Sequence, residues 1–154
     1  MNLIILLDQI PRNCYRGERA GVAYQFFDPL ALDVAYRAIA ADLPDHPSVR
    51  WKQTYRFWFY LPLEHSESLD VLHEVIAAHK KMFGDGHSLM RNPPLGGESE
   101  ALRCREVLLR RQAEFETWEK TLQGMLQNHI ATAEKYGRYP HRDEALGRTA
   151  VDLE

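Results

Sequence analysis

The sequence is short of cysteine, has no excess of basic charge and contains no long apolar run, and each shortage removes a class of function. Two cysteines, Cys14 and Cys104, cannot build a disulfide framework and lack metal-ligand spacing, so they read as reduced thiols of a cytoplasmic protein. A net charge of −3 gives none of the basic footprint that nucleic-acid binding needs, and no nucleic-acid partner is expected. No window approaches the ~20 apolar residues of a membrane span, so no membrane partner is expected. Residues 1–7 are apolar but stop at Asp8, without the basic start, longer apolar core or cleavage site of a signal peptide. Alternating strand patterns are also missing. The aromatic run Phe57-Trp58-Phe59-Tyr60-Leu61 could be a buried strand, but a strand with no partner cannot satisfy its own hydrogen bonds, and helix is preferred.

What the chain does have is helical periodicity. Its 154 residues, 45% hydrophobic and 27% charged, suit one globular domain, residues 1–154, with an all-α fold of about five helices. Leu3, Leu6, Leu7 and Ile10 share one helical face, and Pro11 predicts an end near Ile10, with a structured loop beyond it. A helix opening at the first residue without a cap reads as the second half of something longer, so an upstream piece is expected. Asp28 and Pro29 supply a cap and a first turn for a second helix carrying Leu32, Ala35, Tyr36 and Ile39 to about Ala41. After the break at Leu43-Pro44-Asp45-His46-Pro47, Ser48 can cap a third helix through Trp51, Tyr55, Trp58 and Phe59, ending near Pro62. A fourth spans residues 68–83, with Leu69, Leu72, Ile76 and Phe83 on its buried side.

Gly84, Gly86, Asn92-Pro93-Pro94 and Gly96-Gly97 predict one long loop over residues 84–97. A long helix over residues 98–136 completes the chain, its stripe Phe115, Trp118, Leu122, Met125, His129, Ala133 and Tyr136. Gly124 inside it marks a close crossing. No repeat aligns.

Three polar stretches interrupt this pattern, each at a helix end beside a proline: residues 8–13, 61–67 and 136–143. If they meet in space they gather Asp8, Arg12, Glu64, His65, Glu67, His141 and Arg142. A carboxylate beside an imidazole orients one tautomer and raises its basicity, as a general acid or base requires. A nearby arginine can hold a carboxylate or phosphate or stabilise an oxyanion. The same residues would equally serve as helix caps, macrodipole partners or a structural ion-pair knot, and both readings stay open. Other patterns carry less. His73 and His79 are six apart, not the four of a zinc-protease helix, and no metal or other cofactor is called for. Glu64-His65-Ser66 has the letters of a triad, but adjacent residues rarely converge.

The stretches Leu7-Asp8-Gln9-Ile10-Pro11-Arg12-Asn13, Tyr60-Leu61-Pro62-Leu63-Glu64-His65-Ser66-Glu67 and Gly137-Arg138-Tyr139-Pro140-His141-Arg142, then Leu146-Gly147-Arg148, occur in that order. In this the chain resembles the domain of unknown function 924 family of bacteria and fungi. The resemblance implies an all-α fold similar to tetratricopeptide-repeat proteins and a helical segment upstream of the first motif. It also implies that residues 84–115 form an extension beyond compact members, and that Asp143 stands where an asparagine is usual. It names no reaction.

The expected function is therefore acid–base chemistry without a cofactor (isomerase, lyase or hydrolase in type) on an anionic or carbonyl-bearing small molecule. His65, Glu64 and His141 are the candidate catalytic residues; Asp8, Arg12, Glu67 and Arg142 are the candidate ligand-binding ones. The alternative is a tetratricopeptide-like interaction module, whose partner or second copy covers the N-terminal side.

Overall fold

The computed structural model describes residues 1–94 and 99–151. Among these the chain is all-helical, with six α-helices and no strand. They are α1 (Asn2–Cys14), α2 (Asp28–Ala40), α3 (Gln53–Glu64), α4 (Leu69–Arg91), α5 (Ser99–Arg110) and α6 (Gln112–Tyr136). A 3₁₀ turn (Gly17–Ala20) and a π-helical turn (Ala23–Phe27) lead into α2, and a 3₁₀ turn (Pro140–Arg142) follows α6. α1 packs on α2 and α3, α2 on α3, and α3 on α4, whose other neighbours are α5 and α6. No helix is long and apolar enough to cross a membrane, among the described residues.

The aromatic run is helix, inside α3, with Phe59 and Tyr60 buried. The two prolines expected to end helices do not end them. Pro11 lies inside α1, which continues to Cys14, and Pro62 lies inside α3, which continues to Glu64. Each removes one backbone hydrogen bond near a C-terminal turn, and each ring is buried, so packing offsets the loss. The N–H of Tyr15 donates to the Pro11 carbonyl at 2.8 Å and closes α1 beyond the proline. Ser48 caps nothing; α3 begins at Gln53.

α1 also presents the opposite face from the one its leucines suggest. Ile4, Asp8 and Pro11 are buried, whereas Leu3, Leu6 and Ile10 are about half exposed, at 51, 57 and 47%. The buried stripe carries the carboxylate inward.

α4 corrects the expected loop over residues 84–97. It runs through Gly84 and Gly86 to Arg91, and positions 95–97 of that stretch lie outside the described residues. Two helical glycines cost about 1 kcal/mol each. Burial of Met82, Phe83, Leu89 and Met90, at roughly 1.5–3 kcal/mol apiece, outweighs that. The inner face of α4 is Leu72, Val75, His79, Met82 and Phe83; Ile76 points outward.

The predicted helix over residues 98–136 is two. Its backbone breaks at Arg111, with φ −120° and ψ 35°, at no proline or glycine. Leu126, not Met125, continues the buried stripe of α6 after Phe115 and Leu122, and Ala133 follows. Gly137 closes α6 in the left-handed conformation at φ 66°, its N–H on the Ala133 carbonyl at 2.8 Å.

Glycines separate close approach from open space. A Cβ on Gly124 would meet nothing within 4 Å, so the expected crossing there is absent. A Cβ on Gly21 would overlap the Ala145 carbonyl oxygen, which holds the C-terminal segment against the start of the π turn. Chemical denaturation should therefore show Gly124→Ala stabilised by about 0.5–1 kcal/mol and Gly21→Ala destabilised by about 2 kcal/mol. Equal effects of the two would contradict this packing.

Candidate functional site

The C-terminal ends of α1 and α3 and the segment after α6 do meet. Asp8, on the inner face of α1 and 1% exposed, places Oδ1 2.7 Å from His65 Nδ1, just past the end of α3. Gln9 Nε2 donates to its other oxygen at 2.5 Å, and Arg12 Nη2 lies 3.6 Å from Oδ1. Burial alone would raise the Asp8 pKa. The hydrogen bond and charge of His65, with Gln9 and Arg12, more than compensate and hold it below the usual carboxylate value. An ionised Asp8 can only accept, so His65 Nδ1 donates and Nε2 is the ring atom left to take a proton.

Arg12 reaches Asp28 as well, at 2.6 Å, so Asp28 is no helix cap. Arg142 is buried between the rings of Tyr24 and Tyr139, its guanidinium 4.7 and 4.8 Å from their centroids. Its Nη2 donates to the His65 carbonyl at 2.8 Å; Nη1 lies 3.6 Å from Asp28 and 3.9 Å from Glu67. Glu67 accepts the Tyr139 N–H at 3.1 Å and is held by Arg148 at 3.0 Å. Burial raises the Asp28 carboxyl despite Arg12 and Arg142, and burial, with Arg12 nearby, lowers Arg142.

Around these residues opens a cleft of about 420 Å³, lined among others by Tyr24, Asp28, His65, Glu67, Arg142 and Arg148. Asp28 Oδ2 and Arg142 Nε are buried with no hydrogen-bond partner among the described residues. No group of three or more His, Cys, Asp and Glu side chains there is disposed to hold a metal ion.

Of the seven sequence candidates, Asp8, Arg12, His65, Glu67 and Arg142 come together. Glu64 does not join them. Successive helical residues point about 100° apart, and Glu64 turns into the core, 3.2 Å from the buried His79. The carboxylate partner of His65 is thus Asp8, not Glu64 or Glu67. His141 is exposed, stacked on Tyr139 at 5.7 Å, and does not line the cleft. Asp28, Tyr24, Tyr139 and Arg148 were not among the candidates. Tyr139 and Arg148 stand in the quoted motifs, and Tyr24 and Asp28 are four apart, a spacing that places both on one helical face. Asp143 is buried and gripped by Arg138 through both oxygens, at 3.0 and 3.1 Å, so a carboxylate suits that position.

The family model described as a bacterial protein of unknown function (DUF924) matches residues 1–154, and the chain belongs to that family. No curated protein and no solved structure matches it.

A depressed folded pKa at Asp8 contributes stability above the unfolded value of about 3.9, and that contribution is lost as pH falls through the folded value. Urea unfolding of Asp8→Asn should show a deficit of about 1–2 kcal/mol at neutral pH that shrinks as acid is added. A deficit that grew on acidification would reverse the sign argued here.

Proposed function

We propose that this member of the DUF924 family is a cofactor-independent acid–base enzyme acting on a small anionic, carbonyl-bearing molecule bound in the cleft. The observation that carries this reading is the Asp8–His65 contact at 2.7 Å, with His65 lining a cleft shared with Arg142 and Arg148. Asp8 fixes the tautomer of His65, as the acid of a catalytic dyad does. His65 Nε2 accepts the proton from the carbon beside the carbonyl and returns it, so atoms and charge balance without a co-reactant. Arg142, with Arg148 at the rim, holds the anionic end. Glu67 positions both arginines. Two unbridged cysteines agree with a cytoplasmic setting.

The test is deuterium exchange from solvent into the carbon beside the ketone of a panel of α-keto acids, followed by NMR, with thermal shift by inorganic phosphate and pyruvate as the binding readout. His65→Gln should lower exchange about 10²-fold or more, with helicity retained. Arg142→Met should weaken anion binding about tenfold or more, and His141→Ala should change neither. Wild-type protein that neither exchanges nor binds any member of the panel would leave the cluster an ion-pair network only.

A second reading, the tetratricopeptide-like interaction module, is favoured by one observation: Leu3, Leu6 and Ile10 form an exposed apolar row on α1. A second copy covering that row would raise the mass seen by light scattering as concentration rises. A strict monomer at both ends of the range would count against it.

A further inference from the structure

A second groove, of about 560 Å³, lies where the start of α3 faces α5 and α6, and it shares no lining residue with the cleft around His65. One stripe of α5 and the residue after it forms its floor. Glu100, Arg103, Cys104, Val107, Leu108 and Arg111 recur at three- and four-residue spacing, so a single helical face carries charge at both ends and apolar side chains between. Trp51 and Tyr55 line the groove from the start of α3, and Phe115 and Trp118 from α6.

The aromatic walls are held in place. Phe115 and Trp118 stand edge to face at 6.3 Å, and both pack on Phe83 of the core, at 5.3 and 5.0 Å. Arg50, outside the lining and paired with Asp85 at 3.2 Å, covers the Trp51 ring at 4.6 Å. Tyr55 and Val107, by contrast, are nearly half exposed, at 46 and 47%. Flat apolar surface is thus on offer in a concave setting of small-ligand size.

Charge on the same walls is not balanced: Lys52, Arg103 and Arg111 stand against Glu100 and Glu114. Lys52 and Glu100 hold each other at 2.9 Å. Arg103, Arg111 and Glu114 are exposed and make no ion pair among the described residues. Glu114 comes three residues after Arg111, so those two charges offset each other at that end. Arg103 is eight residues before Arg111, about 12 Å along the helix. Its neighbour one turn back is Glu100, already engaged by Lys52. The one excess positive charge therefore belongs to the Arg103 end, one turn from Val107.

We infer that this groove binds a planar aromatic ring bearing one carboxylate, with the ring among Tyr55, Val107 and the Phe115–Trp118 wall and the carboxylate on Arg103. A free guanidinium takes a carboxylate through two parallel N–H donors, and the single negative charge brings the groove to neutrality. A bare anion would leave the rings unused, and a second carboxylate on the ligand would meet Glu100 or Glu114. The site stands apart from the acid–base reading of the His65 cleft and does not depend on it.

The probes are 2-naphthoate and 2-naphthamide, the same ring system with and without the charge. Both are titrated into the full chain, followed by the indole N–H resonances of its three tryptophans. Naphthoate is expected to move the resonances of Trp51 and Trp118 and leave that of Trp58, which is not in the lining. Naphthamide should bind about tenfold more weakly, the gap narrowing as salt is raised. Arg103→Gln should bring the two compounds within about twofold and leave the melting temperature unchanged, since the side chain is exposed and unpaired. Arg142→Met should leave naphthoate affinity at the groove as it was, which separates this site from the His65 cleft. Equal affinity of both compounds for the wild type would overturn the proposal. So would naphthoate binding that survives Arg103→Gln undiminished or is lost in Arg142→Met, or no movement of Trp51 and Trp118 up to the solubility limit. If Arg103→Gln does not fold, the ratio of the two compounds on the wild type decides alone.

Discussion

The burial of Arg142 is the constraint on which the cleft end of the molecule depends. Taking a guanidinium out of water costs several kcal/mol unless its donors and its charge are answered. Here the answer comes from three stretches of the chain: Tyr24 and Asp28 at the entry to α2, the His65 carbonyl and Glu67 beyond α3, and the ring of Tyr139 after α6. A single side chain thereby ties the C-terminal segment to the start of α2 and the end of α3, the latter through the backbone of the residue that faces Asp8.

That tie explains why the two buried prolines stand where they do. Pro11 and Pro62 each lie in the last turn or so of a helix that delivers a site residue, Arg12 in one case and His65 in the other. A proline fixes its own φ and frees one carbonyl of the preceding turn. It therefore makes a helix end stiff without ending it, and Pro62 lines the cleft itself. Glu64, one residue earlier than His65, is spent on the core beside His79, so the end of α3 is anchored inward by one side chain and open to the cleft through the next.

Much of this was legible in the residues, and the failures have physical reasons. The all-α class and the meeting of three motifs followed from periodicity and from charges placed at helix ends. The misreading of Pro11 and Pro62 came from a local penalty that tertiary burial outweighs. Gly84 and Gly86 read as a loop for the same reason, since propensity ignores the packing of Phe83 and Leu89 on either side. The outward face of α1 could not be chosen from letters, because Leu3, Leu6 and Ile10 are the more apolar row. Ile4 in the core, with His65 and Arg12 facing Asp8, makes the other row the buried one. Asp28 passed for a cap because the residue that claims it, Arg12, lies sixteen positions away.

Charge around the cleft is balanced group for group. Asp8, Asp28 and Glu67 stand against Arg12, Arg142 and Arg148, three carboxylates to three guanidiniums. With those six ionised the cluster is neutral, and a knot needs nothing more. His65 is the seventh member, its Nδ1 held 2.7 Å from the buried Asp8 carboxylate. The acid–base reading proposed for this cluster rests on that seventh member, an imidazole held on a buried carboxylate at the edge of a cavity, whereas the other six account for one another as a neutral network.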